Sequence, residues 1–391
     1  MLRVEVPADS LFGAENMPYG VFAPPGGEFR VGTRLGDSVL DLAALLDDAV
    51  FRRPDLNAFL AQGHSRWREV RDRLRELAGT ALPVDAVHPL SSVRMALPVR
   101  IGDYVDFYAS IDHATNLGRL FRPDSEPLLP NWRHLPVGYH GRAGTVVVSD
   151  TPVIRPRGQR RTASGAPDFG PSERLDIEAE LGFVVGTGST LGAPVTVDEF
   201  TEHVFGVALV NDWSARDIQA WEYQPLGPFL GKSFTTSISA WITPLAALTQ
   251  ARVPLPAQDP EPLPYLRGTG NFGLDIDLTV AWNGDVVAHP PYSRMYWSPA
   301  QMLAHLTANG ASIRPGDLYA SGTISGPGPA QRGSFIELSW GGTQPITVND
   351  QTRTFLADGD EVTITATAPG TEGKRIGLGE VGGRILRARD T

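Results

Sequence analysis

Glycine and proline are spread densely along this chain, and their density limits the possible folds more than any other feature. Together they make up about a fifth of the 391 residues, with 42 glycines and 33 prolines. Long helices are disfavoured at that density, because glycine weakens a helix interior and proline interrupts it. The share is still below that of low-complexity sequences. The sequence therefore predicts a mainly β fold, built from short strands joined by turns.

Several short segments alternate between apolar and polar residues, as strands with one buried face do. The clearest alternation runs over residues 272–282. Further strands are expected at residues 145–148, 178–185, 203–210, 335–340 and 361–366. The segments 155–172 and 251–268 are irregular and rich in glycine or proline, so they are expected to be surface loops.

The first hundred residues are expected to form a separate unit. Trp67, Val70 and Leu74 recur at helical spacing, which predicts a helix that begins near Ser65 and stops at Gly79. After it, a proline-containing stretch without periodicity indicates a boundary between residues 82 and 103. We therefore expect an N-terminal domain over residues 1–97 and a larger domain over residues 98–391.

Charge and cysteine content exclude several classes of function. The net charge of -10 argues against nucleic acid or an anionic membrane as a partner, since both favour a basic surface. No apolar run approaches the ~18 residues of a membrane span, and the N-terminus has no apolar signal core, so a cytoplasmic protein is expected. The chain contains no cysteine, so any bound metal must be held by oxygen or imidazole.

Carboxylates recur at places where a metal site could form. Asp176, Glu178 and Glu180 occupy every second position before an apolar strand, and strand alternation would put all three on one face. Asp106 and Asp212 lie at polar junctions beside apolar runs. Oxygen ligands without thiolates favour Ca²⁺, Mg²⁺ or Mn²⁺. Alternating acids are equally typical of the wet face of an antiparallel strand, so the spacing alone leaves both interpretations open.

A histidine could serve as a general base, because imidazole titrates near neutral pH. His113 is the preferred candidate, since it follows Asp106 by seven residues among polar neighbours, but His134 and His140 compete with it. Glu337 lies within an apolar segment, where an unpaired charge would be costly. It therefore needs a partner, and a histidine would be suitable.

A group of hydrogen-bond donors follows Asp212 in the sequence. Arg216 and Gln219 are three residues apart, so one helical turn would place them side by side. Tyr223 and Lys232 come shortly after. Donors beside a metal carboxylate could stabilise developing negative charge, although each residue taken singly is also typical of a protein surface.

Longer motifs in the chain resemble the fumarylacetoacetate hydrolase family. They are DYVDFYAS, HATNLG, PNWRHLPVGYHGRA, LDIEAELGF, NDWSARDIQAWEYQPLGPFLGKSF, QDPEPLPYL, RPGDLYASGTISGP and FIELSW. The resemblance runs from about residue 100 to the end and is weak before that. It implies a small N-terminal SH3-like barrel, a large mixed β-sandwich roll and a homodimer. It also implies hydrolysis of a carbon-carbon bond in 4-fumarylacetoacetate, which yields fumarate and acetoacetate and is the last step of phenylalanine and tyrosine degradation.

The same resemblance implies roles for individual residues. The calcium ligands would be Asp106, Glu178, Glu180 and Asp212. A magnesium site would use Asp212, Thr236 and Lys232, the last through its main chain. The proton acceptor would be His113 paired with Glu337, and the oxyanion donors would be Arg216, Gln219 and Lys232. Substrate contacts would come from Tyr108, Arg122, Tyr139, Gln219, Tyr223 and Thr323.

One departure from the family and two alternative functions follow from the same motifs. Thr235 stands where the family usually has glycine, so strain is expected beside the second metal site if that position has a positive φ. The alternatives are another diketo-acid hydrolase, hydratase or decarboxylase of the superfamily, and a metal-stabilised binding protein without catalysis. The long N-terminal region and the D-F-Y-x4-H-A-T segment argue against the first. The second predicts damage at His113 or Glu337, and both are present.

Overall fold

The computed structural model describes residues 1–162 and 164–390. Within these ranges most regular structure is β, which confirms the class predicted from glycine and proline. The strands of the first hundred residues are β1 (Leu2–Arg3), β2 (Tyr19–Ala23), β3 (Arg30–Leu35), β4 (Ser38–Asp41), β5 (Ala81–Leu82), β6 (Val87–Pro89) and β7 (Arg94–Ala96).

The later strands fall into two runs, and all are short except four. The first run comprises β8 (Tyr104–Phe107), β9 (Gly138–His140), β10 (Val146–Val148), β11 (Val153–Ile154), β12 (Arg157–Arg161), β13 (Pro167–Pro171), β14 (Leu175–Asp176), β15 (Ala179–Val185), β16 (Val204–Asp212), β17 (Ser214–Ala215), β18 (Thr236–Ile238) and β19 (Trp241–Pro244). The second comprises β20 (Arg252–Val253), β21 (Gly273–Leu274), β22 (Asp277–Trp282), β23 (Asp285–Ala288), β24 (Leu318–Ala320), β25 (Ile346–Val348), β26 (Gln351–Arg353), β27 (Glu361–Pro369) and β28 (Arg375–Leu386).

The α-helices are few and mostly short. They are α1 (Leu42–Leu46), α2 (Asn57–Leu60), α3 (His64–Ala78), α4 (Ile111–Phe121), α5 (Phe200–His203), α6 (Arg216–Glu222), α7 (Pro299–Thr307) and α8 (Phe335–Leu338). Helix α3 is the one predicted from the spacing of its apolar residues, and it buries Trp67, Val70 and Leu74 as expected. In the described ranges, no helix combines the length and the apolar character that crossing a membrane requires.

One large sheet connects the N-terminal strands to the rest of the chain. Its strands follow the order β6-β4-β3-β2-β19-β16-β15-β24-β8-β9, with β7, β10 and β18 paired off this path. The connection is made by β2 and β19, where Trp241 pairs with Gly20 and Ile242 with Tyr19. The strand pairing of the described residues contains no closed barrel.

A second sheet covers the large one and encloses the main hydrophobic core. It has the order β11-β28-β27-β22-β23, and β28 packs on β16 of the large sheet. Trp213, Trp282 and Trp297 are completely buried in this core. Trp282 stacks on Phe335 with 4.3 Å between ring centroids, so the core holds the first residue of α8 in place.

Three segments differ from the sequence prediction, and in the first of them contacts distant in sequence decide the conformation. Residues 335–340, predicted as a strand, begin with the helical turn α8, whose first N–H groups are bound by Asp176. Residues 155–172, predicted as a loop, contain the antiparallel hairpin of β12 and β13, in which Arg157 pairs with Pro171. The strand predicted over 272–282 is interrupted between β21 and β22.

Gly118 in α4 marks a close approach on which the fold depends. A Cβ atom at this position would lie 1.9 Å from the carbonyl oxygen of Pro127. Gly118→Ala is therefore expected to lower the free energy of unfolding by roughly 1–3 kcal/mol through overpacking, although alanine favours helices. Urea unfolding measures the change. Gly144→Ala is the control, because nothing lies within 4 Å of its added Cβ. Equal stability of the two variants would contradict this account.

Candidate active site

Strand pairing brings four carboxylates together from distant parts of the sequence. Asp106 lies in β8, Glu180 in β15 and Asp212 at the end of β16, while Glu178 immediately precedes β15. Strand β15 pairs with β16 on one side and with β24 on the other. Strand β24 in turn pairs with β8, where Ala320 lies opposite Asp106. The large sheet thus supplies the whole acidic cluster.

The four carboxylates form a buried site suited to a hard cation. One oxygen from each of Asp106, Glu178, Glu180 and Asp212 lies within 4.8 Å of the others, and all four side chains are buried. Among the described residues, neither oxygen of Glu180 has a hydrogen-bond partner, and Asp106 Oδ1 also lacks one. Buried polar atoms are rarely left unsatisfied. An all-oxygen donor set with orphaned atoms fits Ca²⁺ or Mg²⁺.

The four carboxylates differ in whether a positively charged side chain lies beside them. Burial, together with the neighbouring carboxylates, raises the pKa of Asp106 and of Glu180 well above their ordinary values. Burial alone would do the same to Glu178, but Lys232 and Arg216 lower its pKa below the usual range. Lys232 Nζ lies 2.5 Å from Glu178 Oε2 and 2.6 Å from Asp212 Oδ2. Glu180 and Asp106 form no ion pair among the described residues, so a metal ion would be the cation that compensates their charge when they ionise.

Asp176 does not belong to the metal cluster, contrary to the alternation in the sequence. The extended run is interrupted between β14 and β15, so Asp176 does not share one strand face with Glu178 and Glu180. Its carboxylate instead pairs with Arg216, whose Nε lies 2.8 Å from Asp176 Oδ2. The expectation that strand alternation puts all three carboxylates on one face was wrong for Asp176.

His113 and Glu337 form a buried pair beside the acidic cluster. His113 Nδ1 lies 2.7 Å from Glu337 Oε2, and the two side chains are 3% and 0% exposed. Ser110 caps α4 by accepting a hydrogen bond from the His113 N–H. Burial would raise the pKa of Glu337, but His113 and the hydrogen bonds to its carboxylate lower it, so the group stays ionised. The competing histidines, His134 and His140, have exposed side chains.

Sequence reasoning missed the other donors that hold Glu337. They are Asn116 Nδ2 at 2.9 Å, Ser325 Oγ at 3.0 Å and Ser334 Oγ at 2.7 Å. Asn116 follows His113 by three residues, so helical spacing could have indicated that both face the same partner. The two serines carry no local signal, because only the folded chain brings them to Glu337.

A cavity of about 500 Å³ opens beside both groups of residues. Asp106, His113, Glu178, Arg216 and Lys232 contribute to its wall. All six positions expected to contact a substrate also line it: Tyr108, Arg122, Tyr139, Gln219, Tyr223 and Thr323. Arg216 Nη2, Arg122 Nε and Thr323 Oγ1 are buried without a hydrogen-bond partner among the described residues, so each is available to a ligand.

The residues expected at a second metal lie in an adjoining cavity of about 340 Å³. Asp212, Lys232 and Thr236 line it, and Thr236 Oγ1 donates to Asp212 Oδ1 at 2.9 Å. Tyr139 lines both cavities, and its hydroxyl donates to Asp212 Oδ2 at 3.2 Å. Thr235 does not have a positive φ, so the strain expected at this position is absent.

Arg216 and Gln219 are neighbours on α6, as their spacing indicates. Arg216 Nη1 donates to Gln219 Oε1 at 3.1 Å and to Glu178 Oε1 at 2.7 Å. Both residues line the cavity that His113 faces. The helix therefore presents a guanidinium group and an amide to any ligand bound next to the acidic cluster.

Comparisons with known proteins cover nearly the whole chain. The family described as "Fumarylacetoacetate (FAA) hydrolase C-terminal" matches residues 104–385, and that described as "Fumarylacetoacetase N-terminal" matches residues 15–98. The fumarylacetoacetase of Rattus norvegicus is 46% identical over 416 residues, which cover 99% of each chain. That of Arabidopsis thaliana is 44% identical and covers 98% of this chain and 97% of its own. The N-terminal region, only weakly similar by its motifs, is included in these matches.

Solved structures share the fold at much lower sequence identity. A fumarylacetoacetate hydrolase from psychrophilic Exiguobacterium antarcticum has a TM-score of 0.58 and 18% identity, covering 95% of this chain and 100% of its own. A maleylpyruvate hydrolase from Sphingobium sp. SYK-6, in complex with manganese(II) and pyruvate, has a TM-score of 0.55 and 16% identity over the same shares. The full-length relatives and the two matched family regions together show that the chain belongs to the fumarylacetoacetate hydrolase family.

Proposed function

We propose that this protein hydrolyses 4-fumarylacetoacetate to fumarate and acetoacetate. The observation that carries the proposal is that His113, which is paired with the buried Glu337, lines the same cavity as Asp106 and Glu178 of the four-carboxylate cluster. Relatives at 44–46% identity over almost the whole chain bear the name fumarylacetoacetase, which supports this substrate. The reaction adds water to a ketone carbonyl and breaks the adjacent carbon-carbon bond.

His113 is the proposed general base. Its Nδ1 is engaged by Glu337, so Nε2 is the ring nitrogen that can take a proton from water. The ionised Glu337 fixes the tautomer and stabilises the imidazolium once the proton has moved. The remaining donors to Glu337 keep this carboxylate from rotating.

The groups around the cavity handle the negative charge of the reaction. A divalent cation held by Asp106, Glu178, Glu180 and Asp212 would act as a Lewis acid for the diketone. Arg216 offers the unpartnered Nη2 to the oxyanion that forms when water adds, and Gln219 and Lys232 are the further proposed donors. Arg122, Tyr108, Tyr139, Tyr223 and Thr323 are proposed to orient the substrate, with Arg122 suited to a carboxylate. The departing carbon leaves as the enolate of acetoacetate and takes a proton.

Membership of the family supports further proposals about the ion, the domains, the assembly and the location of the protein. The ion is proposed to be Ca²⁺ or Mg²⁺, with a second site at Asp212, Thr236 and the main chain of Lys232. Residues 1–97 are proposed as an SH3-like domain and residues 98–391 as a β-sandwich roll that dimerises with a second copy. The location is proposed to be the cytoplasm. The short antiparallel strands β2, β3, β4 and β6 support the small N-terminal domain.

The proposed reaction is tested with purified protein, Ca²⁺ or Mg²⁺ and fumarylacetoacetate, by following the loss of ultraviolet absorbance. We expect turnover that stops when the metal is chelated and returns when it is restored. A parallel assay with an acylpyruvate tests the alternative of another diketo-acid hydrolase with this fold. Hydrolysis of the acylpyruvate alone would overturn the proposed substrate, and no turnover of either compound would favour the non-catalytic alternative.

A further inference from the structure

Asp176 binds both the helix that carries Glu337 and the side chain of Arg216, but it does not line the cavity. Its carboxylate is completely buried and accepts four hydrogen bonds. Oδ1 accepts from the N–H groups of Ile177 and Phe335, each at 2.7 Å. Oδ2 accepts from Arg216 Nε at 2.8 Å and from the Ile336 N–H at 3.0 Å. The donors thus lie directly after β14, on α8 and on α6.

Two of these bonds hold the helix that carries Glu337. Phe335 and Ile336 are the first residues of α8, and N–H groups of a first turn have no acceptor within their own helix. Asp176 supplies that acceptor from β14, since the side chain of the N-cap residue, Ser334, makes no capping bond. Glu337 is the third residue of this single turn, so the position of its carboxylate against His113 depends on Asp176.

The third bond holds the guanidinium of Arg216. Nε is bound by Asp176, and Nη1 is bound by Glu178 and Gln219. A planar guanidinium held at two of its three nitrogens has a fixed orientation. The remaining nitrogen, Nη2, is the buried and unpartnered donor of a side chain that lines the cavity. Asp176 therefore also determines where this free donor points.

We propose that Asp176 is a positioning residue that fixes the location of Glu337 against His113 and, across the cavity, the direction of the free Arg216 donor. The inference rests on the proposed function, because the relative positions of these groups matter for water attack and for stabilising the oxyanion that results. Asparagine has the same shape but only one acceptor oxygen. Its amide nitrogen would face donors, so two of the four bonds would be lost.

The test compares Asp176→Asn with Asp41→Asn in the full-length, metal-loaded protein. Asp41 is a control away from the site, since this buried carboxylate also forms an ion pair with an arginine, 2.9 Å from Arg30 Nε, and accepts hydrogen bonds from two N–H groups at a helix start. We expect Asp176→Asn to lower kcat by about 10- to 100-fold with KM changed less than about threefold. Binding of a phosphinate analogue of the tetrahedral intermediate should weaken in parallel with kcat. Asp41→Asn should lower the melting temperature while leaving kcat unchanged.

A second readout does not depend on turnover. The proton between His113 and Glu337 can be followed by NMR in protein with ¹⁵N-labelled histidine, with its signal assigned by its loss in His113→Ala. We expect the signal to shift or broaden in Asp176→Asn and to stay unchanged in Asp41→Asn. If Asp176→Asn does not fold, Asp176→Ser retains a hydroxyl acceptor for the helix start and is measured in its place.

The outcomes separate the two proposals. If the parent protein does not hydrolyse fumarylacetoacetate, the proposed substrate is wrong, and the NMR signal still decides whether Asp176 positions Glu337. If the parent is active and Asp176→Asn matches Asp41→Asn in kcat, phosphinate affinity and the histidine signal, the role of Asp176 is structural only and the inference is overturned.

Discussion

His113→Ala is expected to lower kcat for fumarylacetoacetate hydrolysis by about 10²- to 10⁴-fold, the usual contribution of a general base. The substitution removes the nitrogen that accepts the proton of water. It leaves the four carboxylates in place, since the hydrogen-bond partner of the imidazole is Glu337 and not a member of the cluster. Absorbance assays give kcat, and calorimetric titration with Ca²⁺ should show an affinity close to that of the parent protein.

The fold is expected to survive this change, because Glu337 keeps hydrogen bonds from Asn116, Ser325 and Ser334. His134→Ala is the control, since this competing histidine has an exposed side chain and lies outside the walls of both cavities. It should retain the kcat of the parent. Nearly full activity in His113→Ala, or a comparable loss in His134→Ala, would show that the base has been assigned to the wrong residue.

The second large effect is expected in metal affinity. Glu180→Gln removes a charged ligand whose two oxygens have no other partner among the described residues. We expect the dissociation constant for Ca²⁺ to rise by roughly two orders of magnitude or more, because the number of charged ligands tunes such sites over several orders. Calorimetric titration measures the change. The rise in melting temperature that Ca²⁺ gives the parent should largely disappear.

The same variant should have little effect on the metal-free protein. Burial and the neighbouring carboxylates raise the pKa of Glu180, which favours its protonated form in the absence of metal, and an amide matches that form in shape and charge. The free energy of unfolding without metal should therefore stay within about 1 kcal/mol of the parent. Glu361→Gln, at an exposed position, is the control and should leave Ca²⁺ affinity unchanged. Unchanged affinity in Glu180→Gln would refute the assignment of this ligand.

The raised pKa values also set the sign of the pH dependence. Metal binding must displace protons from Asp106 and Glu180, so Ca²⁺ affinity should fall as the pH falls through their raised pKa values. In the metal-free protein, by contrast, the free energy of unfolding should decrease as the pH rises. The folded state holds protons that the unfolded chain releases near its ordinary carboxyl pKa, so stability decreases as the pH rises above that value. Glu180→Gln should weaken both trends.

Local patterns in the sequence predicted several elements and candidate groups well. The frequency of glycine and proline predicted short strands, and apolar spacing predicted α3 within a residue or two. The pattern around Glu337 indicated that a buried carboxylate needs a partner, and the structure supplies His113. The apolar pattern of residues 335–340 predicted a strand, which was wrong, because the N–H groups of Phe335 and Ile336 donate to Asp176 and favour the helical turn α8.

By itself the sequence determined a mainly β chain, metal ligands without sulfur and the residue types of the site. Only the tertiary structure decided which of these residues meet. Alternation along a strand specifies the face that a side chain occupies, but not which strands become neighbours in a sheet. Asp106 reaches Glu180 through the pairing of β8, β24 and β15, whereas Asp176, four residues before Glu180, turns to Arg216 instead. A buried charge is stabilised by the partner that the fold supplies, and that partner is not encoded in local spacing.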